Sequence, residues 1–429
     1  MVLHVVRTGD TAAGLAQAYG VPLSQILLDN ALSPSDTLVP GQALVIQFPL
    51  ETYTVRTGDT AAQIAGRAGL TLRQLYRNNP ILGGRPDLYA GQTLVLSYRQ
   101  EKEGALSVNG YAYPFINRDL LQYTLPFLTF LTPFTYGITP QGGLVELEDQ
   151  ALIAAAQAAG TAPLMHLSTL TEEGGFSNAL GTLVLSDLQL QSALIGNTLR
   201  TLQTRGYRGL DVDFEFLGAE NAEAYAAFLR RLAARLRPLG DPLIVALAPK
   251  TSAEQPGQLY EGHDYAALGA AADQVLLMTY EWGYTYGPPM AVAPLSNVRQ
   301  VVEYALSEIP AGKIWLGVPN YGYDWPLPFR QGETRARSIS NQYAVTLARR
   351  YGAEIQFSQS AQSPFFHYTD EAGTAHEVWF EDARSIRAKL ALIPEYGLLG
   401  AGYWNLMRPF VQNWQLLNAL YEIRDPDSV

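Results

Sequence analysis

The sequence predicts an α/β protein: a (β/α)8 barrel over residues 104–429, with two small βααβ units ahead of it over residues 1–48 and 50–98. Three observations carry this expectation. A stretch near the start recurs with an offset of 49 residues. Beyond residue 105, short apolar strands alternate with helical patterns, which is the signature of a parallel sheet. Finally, Gly209-Leu-Asp-Val-Asp-Phe-Glu-Phe216 alternates apolar and acidic residues. Read as a strand, it puts Leu210, Val212, Phe214 and Phe216 on one face and Asp211, Asp213 and Glu215 on the other.

The repeat comes first in the chain. Val6-Arg-Thr-Gly-Asp-Thr-Ala-Ala13 returns as Val55-Arg-Thr-Gly-Asp-Thr-Ala-Ala62. Each copy continues into an amphipathic helix, and Gly20 and Gly69 stand where a helix C-cap belongs. A second helical pattern follows, Leu23 to Asn30 and Leu72 to Asn79. Each copy closes with a turn and a short strand, Pro40 to Ile46 and Ala90 to Leu96. The unit resembles a LysM module, whose recurrent positions Val-x-x-Gly-Asp-Thr and Gly-Gln-x-Leu both copies match. The resemblance implies binding of glycans that contain N-acetylglucosamine, in a groove beside the first strand–helix turn. It places Gly9, Asp10, Thr11 and Asn30, and Gly58, Asp59, Thr60 and Asn79, near the sugar. Asp and Thr also cap helices. Both roles are expected, with Thr11 and Thr60 mainly capping.

Gln100 to Ala105 is polar and reads as a linker. Eight strands are expected after it, at Ser107–Tyr111, Phe127–Pro133, Pro163–Leu167, Gly209–Glu215, Leu243–Ala248, Gln274–Tyr280, Ile314–Pro319 and Leu399–Asn405. Between the fourth and fifth, Tyr225, Phe228, Leu229, Leu232 and Leu236 mark one helix face, and Pro238 and Gly240 end that helix. Eight β/α units suggest a TIM barrel, whose active sites lie at the C-terminal strand ends. Glu215 falls at such an end. The longest gap, residues 326–380, contains apolar alternation on both sides of Asp370-Glu-Ala-Gly373, which predicts a β-hairpin within a small α+β insertion. Glu381 to Ile386 should start the next barrel helix.

Three carboxylates so close together cannot all ionise cheaply in a low-dielectric site, so at least one proton is retained near neutral pH. A general acid needs such a setting. A half-exposed strand with a solvated acidic face is the alternative reading. Asp211-x-Asp213-x-Glu215 resembles the core of the glycoside hydrolase family 18 signature, Asp-x-x-Asp-x-Asp-x-Glu. The signature's first Asp falls on Arg208, so the match is partial there. Met278-Thr-Tyr-Glu-Trp282 is similar to the family's Met-x-Tyr-Asp motif, with Glu281 in place of Asp. Val318 to Trp325 fits the seventh strand. Gly402-Tyr-Trp-Asn405 fits the eighth, where a Trp commonly floors the reactive sugar. The family often carries an α+β insertion as one wall of its groove.

The two carboxylates that flank a glycosidic bond usually stand about 5–5.5 Å apart for retention or about 6.5–9.5 Å for inversion, and family 18 is an exception. Asp213 and Glu215 have Cα atoms roughly 6.6 Å apart by strand rise and lean from one side. By resemblance, the substrate's own N-acetyl carbonyl is the nucleophile and Glu215 protonates the leaving oxygen. Asp213 orients the acetamido N–H, Tyr280 donates to the acetamido oxygen and Asp211 tunes Asp213. Trp404, Glu281, Tyr111, Asn320 and Tyr321 are the expected substrate-binding residues.

The net charge of −11 argues against nucleic acid and against an anionic membrane surface. Without cysteine there is no thiolate metal site, and the five His form no His-x-His or His-Glu-x-x-His pair, so neither metal nor cofactor is expected. No basic n-region precedes an apolar core at the start, so no signal peptide is expected. The substrate candidates are peptidoglycan and chitin. Two such modules ahead of such a barrel resemble the spore cortex-lytic N-acetylglucosaminidases of spore-forming bacteria. That resemblance implies a place in the spore coat or cell wall; a monomer is expected. A chitinase is the second enzyme reading. A glycan-binding scaffold is the non-enzymatic one, since family 18 barrels that lose the acid become lectins.

Overall fold

The computed structural model describes residues 1–171 and 173–429. Each repeat folds as two helices beside an antiparallel strand pair. In the first, Val2–Val5 pairs with Ala43–Ile46, and the helices are Ala12–Tyr19 and Leu23–Asp29. In the second, Pro49–Thr54 pairs with Thr93–Tyr98, and the helices are Ala61–Arg67 and Leu72–Asn78. Thr11 and Thr60 cap the first helix of each unit, accepting from Gly14 N and Gln63 N. Gly9 and Gly58 turn with φ of 92° and 89°, which L side chains rarely adopt.

The barrel strands hydrogen-bond in parallel. Gly104–Ala112, Phe130–Pro133 and Ala162–Pro163 follow one another, and Met165–Ser168, Leu210–Asp213, Leu243–Leu247, Gln274–Leu277, Ile314–Pro319 and Gly400–Trp404 continue the ring. The third strand closes it. Its first part pairs with Phe130–Leu131 and its second, beyond Leu164, with Leu210–Asp213. Gly400–Trp404 pairs back onto the first strand. Side chains that point outward join the helices in one large core, which includes Leu210, Val212, Phe214, Tyr225, Phe228 and Leu232. Those that point inward fill the barrel with Phe130, Leu164, Ile244, Leu276 and Trp315, and with Tyr111 and Phe134. The acidic face of the fourth strand therefore points into the barrel, which excludes the solvated-face alternative.

Two expectations change. The fourth strand ends at Asp213, and Phe216, at φ 56°, is exposed. It leaves the apolar face it was expected to share, because the chain turns away at the strand's end. The inserted sheet also starts earlier than residue 326. Gly322–Pro326, whose residues up to Trp325 the sequence assigns to the seventh strand, pairs antiparallel with Arg337–Ile339 and Ala375–Trp379. Asn320 and Tyr321 separate it from the barrel strand. The expected hairpin is present as Ser363–Thr369 against Ala375–Trp379, and the sheet has five strands.

Both repeats are docked on the rest of the chain, the first against the insertion and the second against a barrel helix. A Cβ on Gly41 would lie 1.8 Å from the Ile355 carbonyl oxygen, and one on Gly84 would lie 2.2 Å from that of Gln122. Arg349 donates to Thr37 O and pairs with Asp36. Arg77 is buried and donates to Pro126 O at 2.6 Å. Near the first dock, Lys389 and Glu381 form a fully buried pair, 2.8 Å apart. Removing one partner strands the other charge, which costs about 3–5 kcal/mol. Lys389→Ala should lower the urea midpoint accordingly, while Lys389→Met combined with Glu381→Leu should recover most of the loss. Equal midpoints for wild type and Lys389→Ala would show that the pair contributes nothing.

Candidate active site

The fourth strand delivers its acids to the open end of the barrel. Asp211 is fully buried and accepts a hydrogen bond from Tyr111 Oη at 2.6 Å. Burial pushes its carboxyl up to about 7, against the opposing effect of the Tyr111 bond. Asp213, one turn of the pleat closer to solvent, is raised by burial first and then by the charges of Glu215 and Asp211. One oxygen of Asp211 and one of Asp213 have no protein partner. Glu215 is raised by burial and then by Glu281. The row can therefore hold protons near neutral pH, as an acid catalyst requires.

A neighbour on the third strand shapes this row. His166 stands opposite Asp211 in the ladder, with Nε2 4.0 Å from Asp211 and 3.8 Å from Asp213. Burial lowers its pKa to about 3, so the ring is neutral, and Nδ1 meets Thr135 Oγ1 at 2.6 Å. The sequence reading weighed His166 only as a metal ligand. A histidine inside an apolar strand run was the signal available for it.

A cleft of about 280 Å³ opens over these groups. Asp213, Glu215, Tyr280, Glu281 and Trp404 line it, together with Tyr113, Phe134, Phe176, Tyr260, Met278 and Trp282. Tyr113, Phe134, Phe176 and Tyr260 are not singled out by the sequence; each sits beyond a strand, in a loop or in a short helix, where an aromatic is unremarkable alone. Trp404 is propped from beneath by Phe134, ring centroids 4.8 Å apart, and by Tyr111 and Tyr113. Glu281 adopts φ 66° and accepts hydrogen bonds from the hydroxyls of Tyr321 and Tyr323. Tyr321 thus reaches the site through Glu281.

Four expected binding residues are placed elsewhere. Tyr111 is buried with its hydroxyl committed to Asp211, so it acts below the cleft. Asn320 is buried, and its Nδ2 donates to the carbonyls of Asn405 and Arg408; it ties down the loop after the eighth strand. Asn30 and Asn79 are buried as well. Each donates to a helix carbonyl, Ile26 or Leu75, and exchanges hydrogen bonds with a strand residue, Val45 or Val95. They fasten helix to strand, and their amides are committed to the backbone. By contrast, Gly9, Thr11, Gly58 and Thr60 are exposed. Asp10 and Asp59 lie beside them, accepting from Arg7 N and Arg56 N and from His4 and Tyr53 of the first strands.

Comparison with known proteins agrees with this geometry. Residues 156–408 match the profile of glycosyl hydrolases family 18, and residues 4–47 and 53–97 match that of the LysM domain. The chain is 42% identical to the cortical fragment-lytic enzyme of Bacillus subtilis (strain 168), over 99% of both chains. It is equally similar, at 42%, to that of Bacillus anthracis, over 96% of both. The crystal structure of the Bacillus cereus spore cortex-lytic enzyme SleL superposes with a TM-score of 0.84 at 39% identity, covering 99% of each chain. A likeness that runs through both modules and the whole barrel leaves one assignment: the protein belongs to glycoside hydrolase family 18, with two LysM domains ahead of its hydrolase barrel.

Proposed function

We propose that the protein cleaves β-1,4 bonds after N-acetylglucosamine in spore-cortex peptidoglycan, with retention and with the substrate's acetamido group as nucleophile. The observation that carries this reading is the desolvated row Asp211–Asp213–Glu215 beneath a cleft floored by Trp404. The choice of cortex rests on the full-length relatives, which are named for cortex lysis, and it associates the protein with the spore or cell wall. The exposed Gly-Asp-Thr turns of the LysM domains are the proposed glycan contacts.

In this mechanism Glu215, whose pKa is raised by burial and then by Glu281, gives its proton to the leaving glycosidic oxygen. Asp213 accepts a hydrogen bond from the acetamido N–H, while Tyr280 donates to the acetamido oxygen. That oxygen attacks the anomeric carbon as the C–O bond breaks, giving a cyclic oxazolinium-type intermediate. Glu215, now a carboxylate, takes a proton from water, which opens the ring from the original face. Glu281, the other carboxylate among the described residues that line the cleft beside Asp213 and Glu215, is clamped by two tyrosines and acts on the field around Glu215.

Three measurements test this assignment. Glu215→Gln should retain its fold and lose activity on cortex fragments by the ~10²–10⁴ typical of a general acid; a rate near that of wild type would remove Glu215 from the role. The negative charge of Glu281 raises the Glu215 pKa, so Glu281→Gln should lower it. The alkaline limb of the kcat/KM profile, where the acid is lost, should then move to lower pH; movement to higher pH would contradict the coupling. Proton NMR taken before mutarotation should show the β-anomer as the first product. An α-anomer would exclude substrate assistance.

A further inference from the structure

The cleft does not end at Trp404. A second pocket of about 290 Å³ adjoins it, and the two share Tyr113, Glu281 and Trp404. Its far wall comes from the inserted sheet and from the loop after the eighth barrel strand, through Tyr323, Ser338 and Arg408. The charges lining the two pockets are unequal. Asp213, Glu215 and Glu281 are acids, and among the described lining residues Arg408 is the one base.

Arg408 is held in place by neutral groups. Its Nη1 donates to Ser338 Oγ at 2.9 Å and to Ile339 O at 2.7 Å. Its own carbonyl is pinned by Asn320. Partial burial lowers its pKa, and the groups that act in the other direction are Tyr323 and Tyr321 rather than a carboxylate. A half-buried guanidinium without an acid partner is unfavourable by itself. It is, however, well prepared for a ligand oxyanion, because its planar fork suits a carboxylate.

We propose that Arg408 binds a carboxylate of the substrate in the subsite next to the cleaved N-acetylglucosamine, and thereby selects muramic-acid-containing glycan over chitin. The inference rests on the proposed peptidoglycan substrate. In a strand of alternating sugars, both neighbours of an N-acetylglucosamine carry a 3-O-lactyl group. Where its acid is free, that group presents a carboxylate, and where a peptide is attached to it by an amide bond, the peptide carries carboxylates of its own. Chitin has neither. An anionic glycan approaching three acids on a chain of net charge −11 meets repulsion, and a fixed cation beside the reacting sugar offsets it locally.

The test compares wild type, Arg408→Gln and Arg408→Lys on three tetrasaccharides: chitotetraose, an alternating glycan with free lactyl acids, and the same glycan bearing stem peptides. The readout is the ratio of kcat/KM on each acidic glycan to that on chitotetraose. Arg408→Gln should lower this ratio at least ten-fold, chiefly through KM, and Arg408→Lys should restore part of it. A fall on the free-acid glycan identifies the lactyl carboxylate as the ligand; a fall confined to the peptide-bearing glycan identifies the stem peptide. An unchanged ratio in both variants overturns the proposal. If wild type cleaves chitotetraose and leaves both acidic glycans intact, the peptidoglycan reading itself fails, which is a separate outcome.

Discussion

The desolvation of one strand face governs this structure. The alternation of a β-strand sends Asp211 and Asp213 into the barrel because Leu210 and Val212 must face the helices. Once inside, the carboxylates cannot all be charged, and their environment is arranged around that fact. Tyr111 supplies one hydrogen bond to Asp211, a neutral His166 fills the space beside the row, and aromatic rings exclude water below Trp404. The barrel interior is a packed core up to this level and becomes a cleft above it. The acidic row and the structural core are therefore successive layers of the same filling.

What was legible in the sequence was what repeats or alternates locally. The two module copies, the helix face of Tyr225 to Leu236 and the hairpin around Asp370 all rest on short-range patterns, and each is present. The row ending in Glu215 was legible because three acids in register on an apolar strand demand an explanation. What failed depended on contacts distant in the chain. Asn30 and Asn79 look like exposed helix-end amides, yet each bonds to a strand about 15 residues later. Nothing near Asn320 announces that its partners are the carbonyls of Asn405 and Arg408. Tyr111 could equally have faced the sugar; its partner lies 100 residues away.

The inserted sheet shows how a barrel acquires a groove. By leaving the seventh strand at Asn320 and pairing from Gly322, the chain raises a wall beside the cleft. The wall brings Tyr323 to Glu281 and Ser338 to Arg408. The barrel supplies the acidic row, and the insertion fixes how side chains beside it are oriented.

The glycine contacts at Gly41 and Gly84 have a mechanical consequence. A binding module on a loose tether lets its enzyme sweep a sphere around one anchoring point. Here the backbone of the first module lies against the insertion, and that of the second against the barrel, too closely to admit even a methyl group, so the turns at Gly9 and Gly58 and the mouth of the cleft share one frame. Such a protein meets an insoluble wall as a plate meets a surface. The distance from those turns to the cleft is fixed by the fold itself, not by the length of a linker.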